Sequence, residues 1–243
     1  MKVGDSPLAR KLGAFVALSE ADLHTLAEMQ SRPRSFAAGR DMVQQREPRQ
    51  HAYILTSGWA SSYKLLPAGT RQIVDFQIPG DFLGLRSLLV RAADHMIEPV
   101  TRVEASEVSF ADLVDCFNRT PRLATAILWA VSRDEAMVVE HLVGIGRRNA
   151  HERTAHFFLE LDARLSLVGL ASPQGYDCPL SQYQLADALG LTAIHINRVL
   201  REFRRTGLMT FRKGKVVFLD RPGLLALAGF DIAYLDHEGP LLK

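Results

Sequence analysis

Apolar residues recur at helical spacing near the start of the chain and again after residue 120. Ser19 precedes the first such pattern, and Asp22 stands where a capping box places an acidic residue, which predicts a helix here. Pro121 opens a longer helical pattern that ends at Gly144 or Gly146, with proline at the first turn and glycine past the end. The sequence therefore predicts one short and one long helix.

Between these two helices the pattern changes to short apolar segments punctuated by glycine and proline. The segments 52–55, 59–65 and 71–76 each precede a turn signal. Runs this short cannot form long helices, and their regular spacing from about residue 35 to residue 110 predicts an antiparallel sandwich or barrel.

The long helix carries two adjoining apolar stripes. One contains Leu123, Ile127, Ala130 and Met137, and the other contains Leu128, Val131, Val138, Leu142 and Ile145. A band this wide needs two surfaces to bury it. We expect one surface to be the barrel and the other to be a second copy of the same helix. The alternative is a helix buried wholly within its own domain.

The last hundred residues read as helices followed by a hairpin. A helix is predicted from Ala150 to about Leu167, then a loop from Gly169 to Pro179, and then two short helices separated by Gly190. Ser181 is placed to cap the first of these at 182–189, and Thr192 the second at 193–205. The segments 208–211 and 216–219 predict a hairpin whose basic tip holds Arg212, Lys213 and Lys215.

The two short helices have the spacing of a helix-turn-helix. Their apolar positions form one shared core, and these are Leu185, Ala186, Leu189, Leu191, Ile196, Val199 and Leu200. On the second helix, Arg198 can donate to guanine, Asn197 can address adenine or a phosphate, and Ile194 can touch a thymine methyl. A helical hairpin in a bundle shows a similar pattern, but the basic hairpin that follows favours a winged helix-turn-helix.

Composition and charge agree with a DNA-binding protein. The 243 residues are 47% hydrophobic and 23% charged, as in a globular protein, and no apolar run is long enough to span a bilayer. Two cysteines, Cys116 and Cys178, cannot build a disulfide framework, and we expect buried thiols in a cytoplasmic protein. Residues 147–221 hold 12 basic and 7 acidic side chains, a net charge of +5 that suggests a polyanionic partner.

Several motifs together resemble the Crp/Fnr superfamily of bacterial transcription regulators over nearly the whole chain. They are Tyr53-Ile-Leu-Thr-Ser-Gly-Trp59, Pro79-Gly-Asp-Phe-Leu-Gly84, Gly146-Arg-Arg-Asn-Ala-His-Glu-Arg153, Leu189-Gly-Leu-Thr-Ala-Ile-His-Ile-Asn-Arg198 and Phe230-Asp-Ile-Ala-Tyr-Leu235. The last two resemble an alphaproteobacterial subgroup. The resemblance implies an α+β fold with a cyclic-nucleotide-binding-type β-roll (jelly roll) over 1–120, a dimerisation helix over 121–146 and a winged helix-turn-helix over 147–243.

The resemblance also assigns expected roles to individual residues. Arg198 stands where the family places its base-reading arginine. Thr192 and His195 stand where small polar residues of the family usually contact phosphate. Ile194 replaces a glutamate that often reads cytosine in the family. The expected DNA contacts are Ser181, Gln182, Thr192, Ala193, Ile194, His195, Asn197, Arg198, Arg201, Lys213 and Lys215. The expected dimer interface is Leu128, Val131, Val138, Leu142 and Ile145. The expected partners are double-stranded DNA, a second copy of the chain and, for an activator, RNA polymerase.

The ligand loop departs from the family. Members that bind cyclic AMP have a Gly-Glu-Leu segment followed by an Arg-Ser pair, whereas this chain has Asp81 at the acidic position and neither Arg nor Ser over 94–99. Arg86-Ser87 comes too early for the phosphate position. A buried cyclic phosphate would lack its charged partner, so we expect no cyclic-AMP binding. The candidate pocket residues are Gly80, Asp81, Phe82, Leu83, Gly84 and Arg86, for an unknown ligand.

Other classes of function fit the sequence less well. The chain lacks the cysteine cluster of the family's iron–sulfur sensors. A metal-dependent enzyme on the same kind of barrel would need clustered ligands, but His51 and His95 are isolated, so we expect neither a metal site nor an enzyme. The remaining alternative is a ligand-binding regulatory subunit that acts through a protein partner without DNA. The sequence does not identify the signal, the operator, or whether transcription is activated or repressed.

Overall fold

The computed structural model describes residues 3–43, 52–90, 95–235 and 241. His51, considered above as a metal ligand, and Asp94, the first residue of the segment 94–99, lie outside the described residues. The chain forms two compact units, and the boundary between them falls inside one long helix, between Arg133 and Asp134. Within the described ranges, every helix is too short or too polar to span a bilayer.

Two antiparallel sheets form the body of the first unit. The strands are β1 (Pro33–Phe36), β2 (Ala52–Ser57), β3 (Ala60–Leu65), β4 (Arg71–Gln77), β5 (Phe82–Leu83), β6 (Met96–Pro99) and β7 (Val103–Val108). One sheet has the order β1-β7-β2-β5 and the other β4-β3-β6. Side chains from both sheets, among them Leu55, Ile97 and Ala105, share one buried cluster. The antiparallel sandwich or barrel predicted from the short apolar segments is therefore confirmed, as is the β-roll that the resemblance implied.

Helices cover the outer face of the larger sheet. They are α1 (Pro7–Gly13), α2 (Glu20–Met29) and α3 (Phe110–Arg119), and their buried residues form one cluster with Ile54 and Val108 of the sheet. The predicted capping box at the start of α2 is confirmed. The Ser19 hydroxyl accepts from the Asp22 N–H at 3.2 Å, and the Asp22 carboxylate accepts from the Ser19 N–H at 2.9 Å.

The two apolar stripes of the long helix α4 (Pro121–Arg147) differ in how far they are buried. Leu123, Ile127, Ala130 and Met137 are at most 2% exposed. The second stripe, Leu128, Val131, Val138, Leu142 and Ile145, is between 43% and 70% exposed. The chain itself thus buries one stripe and leaves the other on the surface.

The described part of the second unit contains the end of α4, four further α-helices, a 3₁₀-helix at Ile232–Leu235 and a small sheet. The helices are α5 (Ala150–Leu167), α6 (Gln182–Leu189), α7 (Ala193–Arg205) and α8 (Arg221–Ala228). The strands are β8 (Ala171–Ser172), β9 (Gly175–Asp177), β10 (Met209–Arg212) and β11 (Lys215–Phe218), in the order β10-β11-β9-β8. The helices predicted at 150–167, 182–189 and 193–205 and the hairpin after them are confirmed.

The sequence prediction was wrong for the segment 169–179. It was interpreted as a loop, but it contains β8 and β9, and β9 pairs with β11 of the hairpin. Gly175 makes this possible, because a Cβ there would lie 2.0 Å from the carbonyl oxygen of Val216. The prediction also missed α8, whose N-cap Asp220 accepts a hydrogen bond from the Gly223 N–H at 2.9 Å.

Helix α5 buries polar side chains as well as apolar ones. His156 is 4% exposed and packs against the rings of Phe230 and Tyr234. Burial, reinforced by the positive charge of Arg148, lowers the pKa of His156 to about 4. The ring is therefore neutral at pH 7, and its contact with the Glu140 carboxylate at 3.6 Å is not an ion pair there.

One turn further along α5, Glu160 is fully buried and is held by three side chains. His141 contacts its Oε1 at 2.8 Å, Tyr234 donates to its Oε2 at 2.7 Å, and Arg164 lies 3.9 Å away. Burial alone would raise the pKa of Glu160, but the charge of His141 and these contacts bring that pKa down to about 2. The buried carboxylate ties the end of α4 and the segment around Tyr234 to α5.

Both cysteines are buried free thiols, as predicted. Burial raises the pKa of Cys178 to about 12 and raises that of Cys116 above its usual value. Neither sulfur therefore has the thiolate character that reactive cysteines need.

Candidate nucleic-acid interface

Helices α6 and α7 form the helix-turn-helix that the sequence predicted. Ser181 begins α6 with a capping box, in which its hydroxyl accepts from the Gln184 N–H at 3.2 Å. Gly190 ends α6 in the left-handed region at φ 61°, where glycine avoids the strain of a Cβ. Thr192 then caps α7 by accepting from the His195 N–H at 3.2 Å. These local signals fix where each helix begins and ends.

Burial divides α7 into an inner and an outer face. The inner residues Ile196, Val199, Leu200 and Phe203 are at most 8% exposed and pack with the buried side of α6. On the outer face Ile194 is 85% exposed, and Arg198 and Arg201 are also exposed. An apolar group and two guanidinium groups therefore project from one side of a helix slim enough to enter a major groove.

Hydrogen bonds connect the polar side chains of this outer face. The Asn197 amide donates to Gln182 Oε1 at 3.2 Å and accepts from Arg201 Nη2 at 3.2 Å. Arg198 Nη2 lies 3.0 Å from His195 Nε2. Asn197 thus connects Gln182 of α6 to Arg201 of α7. The sequence did not indicate this connection, because Gln182 lies on the other helix.

A basic pocket opens between α7 and the hairpin. It encloses about 320 Å³ and is lined by Gln182, Asn197, Leu200, Arg201, Arg204, Phe211 and Arg212. Three guanidinium groups at one concave surface favour an anion that can accept several hydrogen bonds. The expected contacts did not include Arg204, although its spacing of three residues from Arg201 places both on one helix side.

The hairpin β10–β11 presents its basic tip to solvent. Lys213 and Lys215 are exposed, and the turn holds Lys213 at φ 50° and Gly214 at φ 71°. Lys215 lies 3.6 Å from Asp177 on β9, and both side chains are at least 70% exposed. This surface ion pair is weak and leaves the lysine able to contact another anion.

The candidate ligand loop turns its carboxylate toward α1. Asp81 is 5% exposed, its Oδ1 accepts from Lys11 Nζ at 2.8 Å, and its Oδ2 accepts from the Ile78 N–H at 2.9 Å. Gly80, at φ 96°, lies so close to α1 that a Cβ would come within 2.9 Å of the Pro7 backbone. Both carboxylate oxygens are therefore engaged within the protein, and Lys11 is a partner that the sequence analysis did not identify.

The other candidate pocket residues lie in core or surface positions. Phe82 and Leu83 are 7% and 1% exposed and belong to buried clusters of the β-roll. Gly84 has φ 66° and precedes a short 3₁₀-helix. Arg86 is exposed, and its Nη2 lies 3.4 Å from His95 Nδ1. Within the described part of this loop, the groups do not fit a cyclic phosphate that needs a buried guanidinium and a carboxylate turned to the ligand.

Comparison with known proteins identifies relatives for both units. Residues 33–126 match the model of the cyclic nucleotide-binding domain, and residues 152–227 match that of the Crp-like helix-turn-helix domain. The nitrogen fixation regulation protein FixK of Bradyrhizobium diazoefficiens is 31% identical, over 79% of this chain and 80% of that protein. The transcriptional activator protein anr of Pseudomonas aeruginosa is 25% identical over 88% of this chain and 87% of its own length.

Solved structures agree with these sequence matches. The structure of FixK2 from Bradyrhizobium japonicum covers 82% of this chain and 98% of its own length, with a TM-score of 0.73 and 27% sequence identity. A transcriptional regulator of the CRP/FNR family from Thermus thermophilus has a TM-score of 0.63 at 23% identity, and this more distant likeness concerns the fold alone.

Proposed function

Because the chain belongs to the Crp/Fnr family of DNA-binding transcription regulators, we propose that it binds a near-palindromic operator as a homodimer and reads the bases through α7. The observation that carries this proposal is the outer face of α7, where Ile194 and Arg198 project to solvent while the opposite face is buried. A helix with one face anchored and the other offering a guanidinium group suits direct readout in the major groove.

Arg198 is the proposed base-reading residue. A guanidinium can donate two hydrogen bonds to O6 and N7 of guanine, which distinguishes this base from the other three in the major groove. Ile194 lies one turn nearer the N-terminus of α7 and supplies an apolar contact for a thymine methyl. Thr192 and Ala193, at the start of the helix, and Ser181, at the start of α6, are the proposed contacts of the helix N-termini with the DNA backbone.

The basic pocket and the hairpin tip are the proposed backbone contacts. Arg201, Arg204 and Arg212 line a concavity suited to one phosphate, and Gln182 lies at the same surface. Lys213 and Lys215 supply two further charges on the hairpin. Contacts of this kind fix the position of the protein on the duplex and carry no sequence information themselves.

Dimerisation through α4 would supply the second copy of α7 that binds the other half-site of the operator. Leu128, Val131, Val138, Leu142 and Ile145 form an exposed apolar stripe, and a second copy of α4 is the partner that would cover it. Two copies of α7 related by the dimer axis would then read half-sites about 34 Å apart, one turn of DNA.

The β-roll is the proposed sensor, and its effector is not cyclic AMP. Asp81 is committed to Lys11, and Arg86 lies on the surface beside His95. We assign no enzymatic activity to the chain and place it in the cytoplasm with its DNA target. If the protein activates transcription, RNA polymerase is its further partner.

Replacement of Arg198 tests the proposal against a matched control. On a duplex that the protein selects from a random library, Arg198→Ala should cost about 1–3 kcal/mol and remove discrimination at one base pair per half-site. Lys213→Ala should weaken all duplexes alike and lower the salt slope by about one unit. If Arg198→Ala weakens selected and random DNA equally, Arg198 is a phosphate contact. If the protein shows no salt-dependent binding to any duplex, it acts through a protein partner instead.

A further inference from the structure

The proposed base-reading arginine is held by a side chain of its own helix. Arg198 Nη2 lies 3.0 Å from His195 Nε2, at a spacing of three residues where helical side chains face each other. A guanidinium has only donors, so Nε2 must be the acceptor in this contact, and the neutral ring then carries its proton on Nδ1. The contact therefore requires an uncharged His195.

The hydrogen bond to His195 is compatible with guanine binding. Arginine has five N–H donors in a planar fork, and a two-bonded contact with guanine uses two of them. One further donor can remain on His195 while the fork faces a base. The half-buried His195 is itself fixed, because its backbone N–H donates to the Thr192 hydroxyl at 3.2 Å.

We propose that His195 is a positioning residue that holds Arg198 in the orientation that reads guanine. This inference rests on the proposed base-reading role of Arg198. Holding a long side chain in its bound conformation before DNA arrives reduces the conformational entropy lost on binding.

The charged groups around His195 come from two helices. On α7 they are Arg198 and Glu202, and from α5 His151 faces the same groove. Glu202 Oε2 lies 3.1 Å from His151 Nε2, and Oε1 lies 3.9 Å from Arg205. Residues from the hairpin and α8 that line this groove, Leu208 and Leu227, are apolar. His151, a second histidine at this groove, therefore supplies a matched control.

The proposal predicts that loss of the His195 ring lowers preference for the correct base more than it lowers affinity for random DNA. Without the Nε2 acceptor, Arg198 loses a contact that orients it. A purely structural histidine would not separate the two affinities in this way.

The experiment measures the ratio of affinities for the selected duplex and for the same duplex with the Arg198-contacted base pair changed. His195→Ala should lower this ratio about 2- to 10-fold, the range that one net hydrogen bond supplies. His195→Gln, which keeps a side-chain acceptor, should keep the higher ratio. His151→Gln should retain the ratio of the unsubstituted protein.

The outcomes distinguish the positioning role of His195 from base reading by Arg198. If Arg198→Ala removes base discrimination but His195→Ala keeps the original ratio, the positioning role is wrong and base reading by Arg198 stands. If His195→Ala lowers both affinities equally, His195 is a phosphate contact only. If Arg198→Ala leaves the ratio unchanged, base reading by Arg198 is wrong and the inference falls with it.

Discussion

Removing Lys11 should destabilise the β-roll unit far more than removing a surface lysine or arginine. The Lys11 and Asp81 side chains are 3% and 7% exposed and are 2.8 Å apart, so neither charge is shielded by water. Lys11→Met keeps an unbranched chain of similar length but removes the ammonium group that contacts the buried Asp81 carboxylate. The backbone N–H of Ile78 remains as a donor to that carboxylate.

The burial of the pair sets the magnitude. Breaking a buried ion pair by removing one partner costs about 3–5 kcal/mol, because the remaining charge is uncompensated. An exposed pair contributes about 0–1 kcal/mol. Arg102 and Glu104 form the matched control, since they are 3.1 Å apart with side chains 76% and 43% exposed. Arg102→Gln should therefore lower the free energy of unfolding far less than Lys11→Met does.

Tryptophan fluorescence during urea unfolding is the assay that isolates this unit. The two tryptophans of the chain, Trp59 and Trp129, both lie before the unit boundary at Arg133. Lys11→Met should lower the unfolding midpoint by more than about 1 M urea. The double variant Lys11→Met/Asp81→Asn, which has no buried charge at this pair, should recover most of the loss. The reasoning is refuted if Lys11→Met costs no more than Arg102→Gln, or if the double variant is as unstable as the sum of the two single changes.

Three further predictions concern other parts of the molecule. Val138→Glu combined with Leu142→Glu should give monomers in sedimentation, because both side chains lie on the exposed stripe, and an unchanged dimer would contradict the proposed interface. The second unit should lose stability as the pH falls from 6.5 to about 4, because the unfolded chain protonates His156 more readily than the folded chain does. The loss should reach about 3 kcal/mol, and far-UV circular dichroism of His156→Leu should show a flatter dependence in that window. Calorimetry with micromolar cyclic AMP should show no saturable heat, and a one-to-one isotherm would prove the interpretation of Asp81 wrong.

The sequence indicated the helix-turn-helix well because its signals are local. Ser181, Gly190 and Thr192 lie within twelve residues and determine where α6 and α7 begin and end. The alternation of buried and exposed positions on α7 follows from the helical period alone. The same locality explains why the capping box at Ser19 was predictable, since its two partners are three residues apart.

Features that depend on distant partners were not predictable in this way. β9 exists because it pairs with β11, about 40 residues later, and its own three residues carry too little pattern to predict a strand. α8 is a short helix that packs against α5, and helices of this length depend on such packing. Lys11 and Asp81 are 70 residues apart, and no periodicity relates them.

Helix α7 and the candidate ligand loop of the β-roll therefore differ in how reliably a sequence motif predicts which group a side chain contacts. A base-reading side chain acts from one helix, so its position along α7 largely decides whether it faces outward. A ligand pocket in a β-roll is assembled from separate strands and loops, so a residue in the motif position can be drawn to another partner. Asp81 shows this, because Lys11 and the Ile78 N–H engage both of its oxygens. An effector of this β-roll must then be held by other groups, since taking this carboxylate would break its buried contact with the Lys11 ammonium.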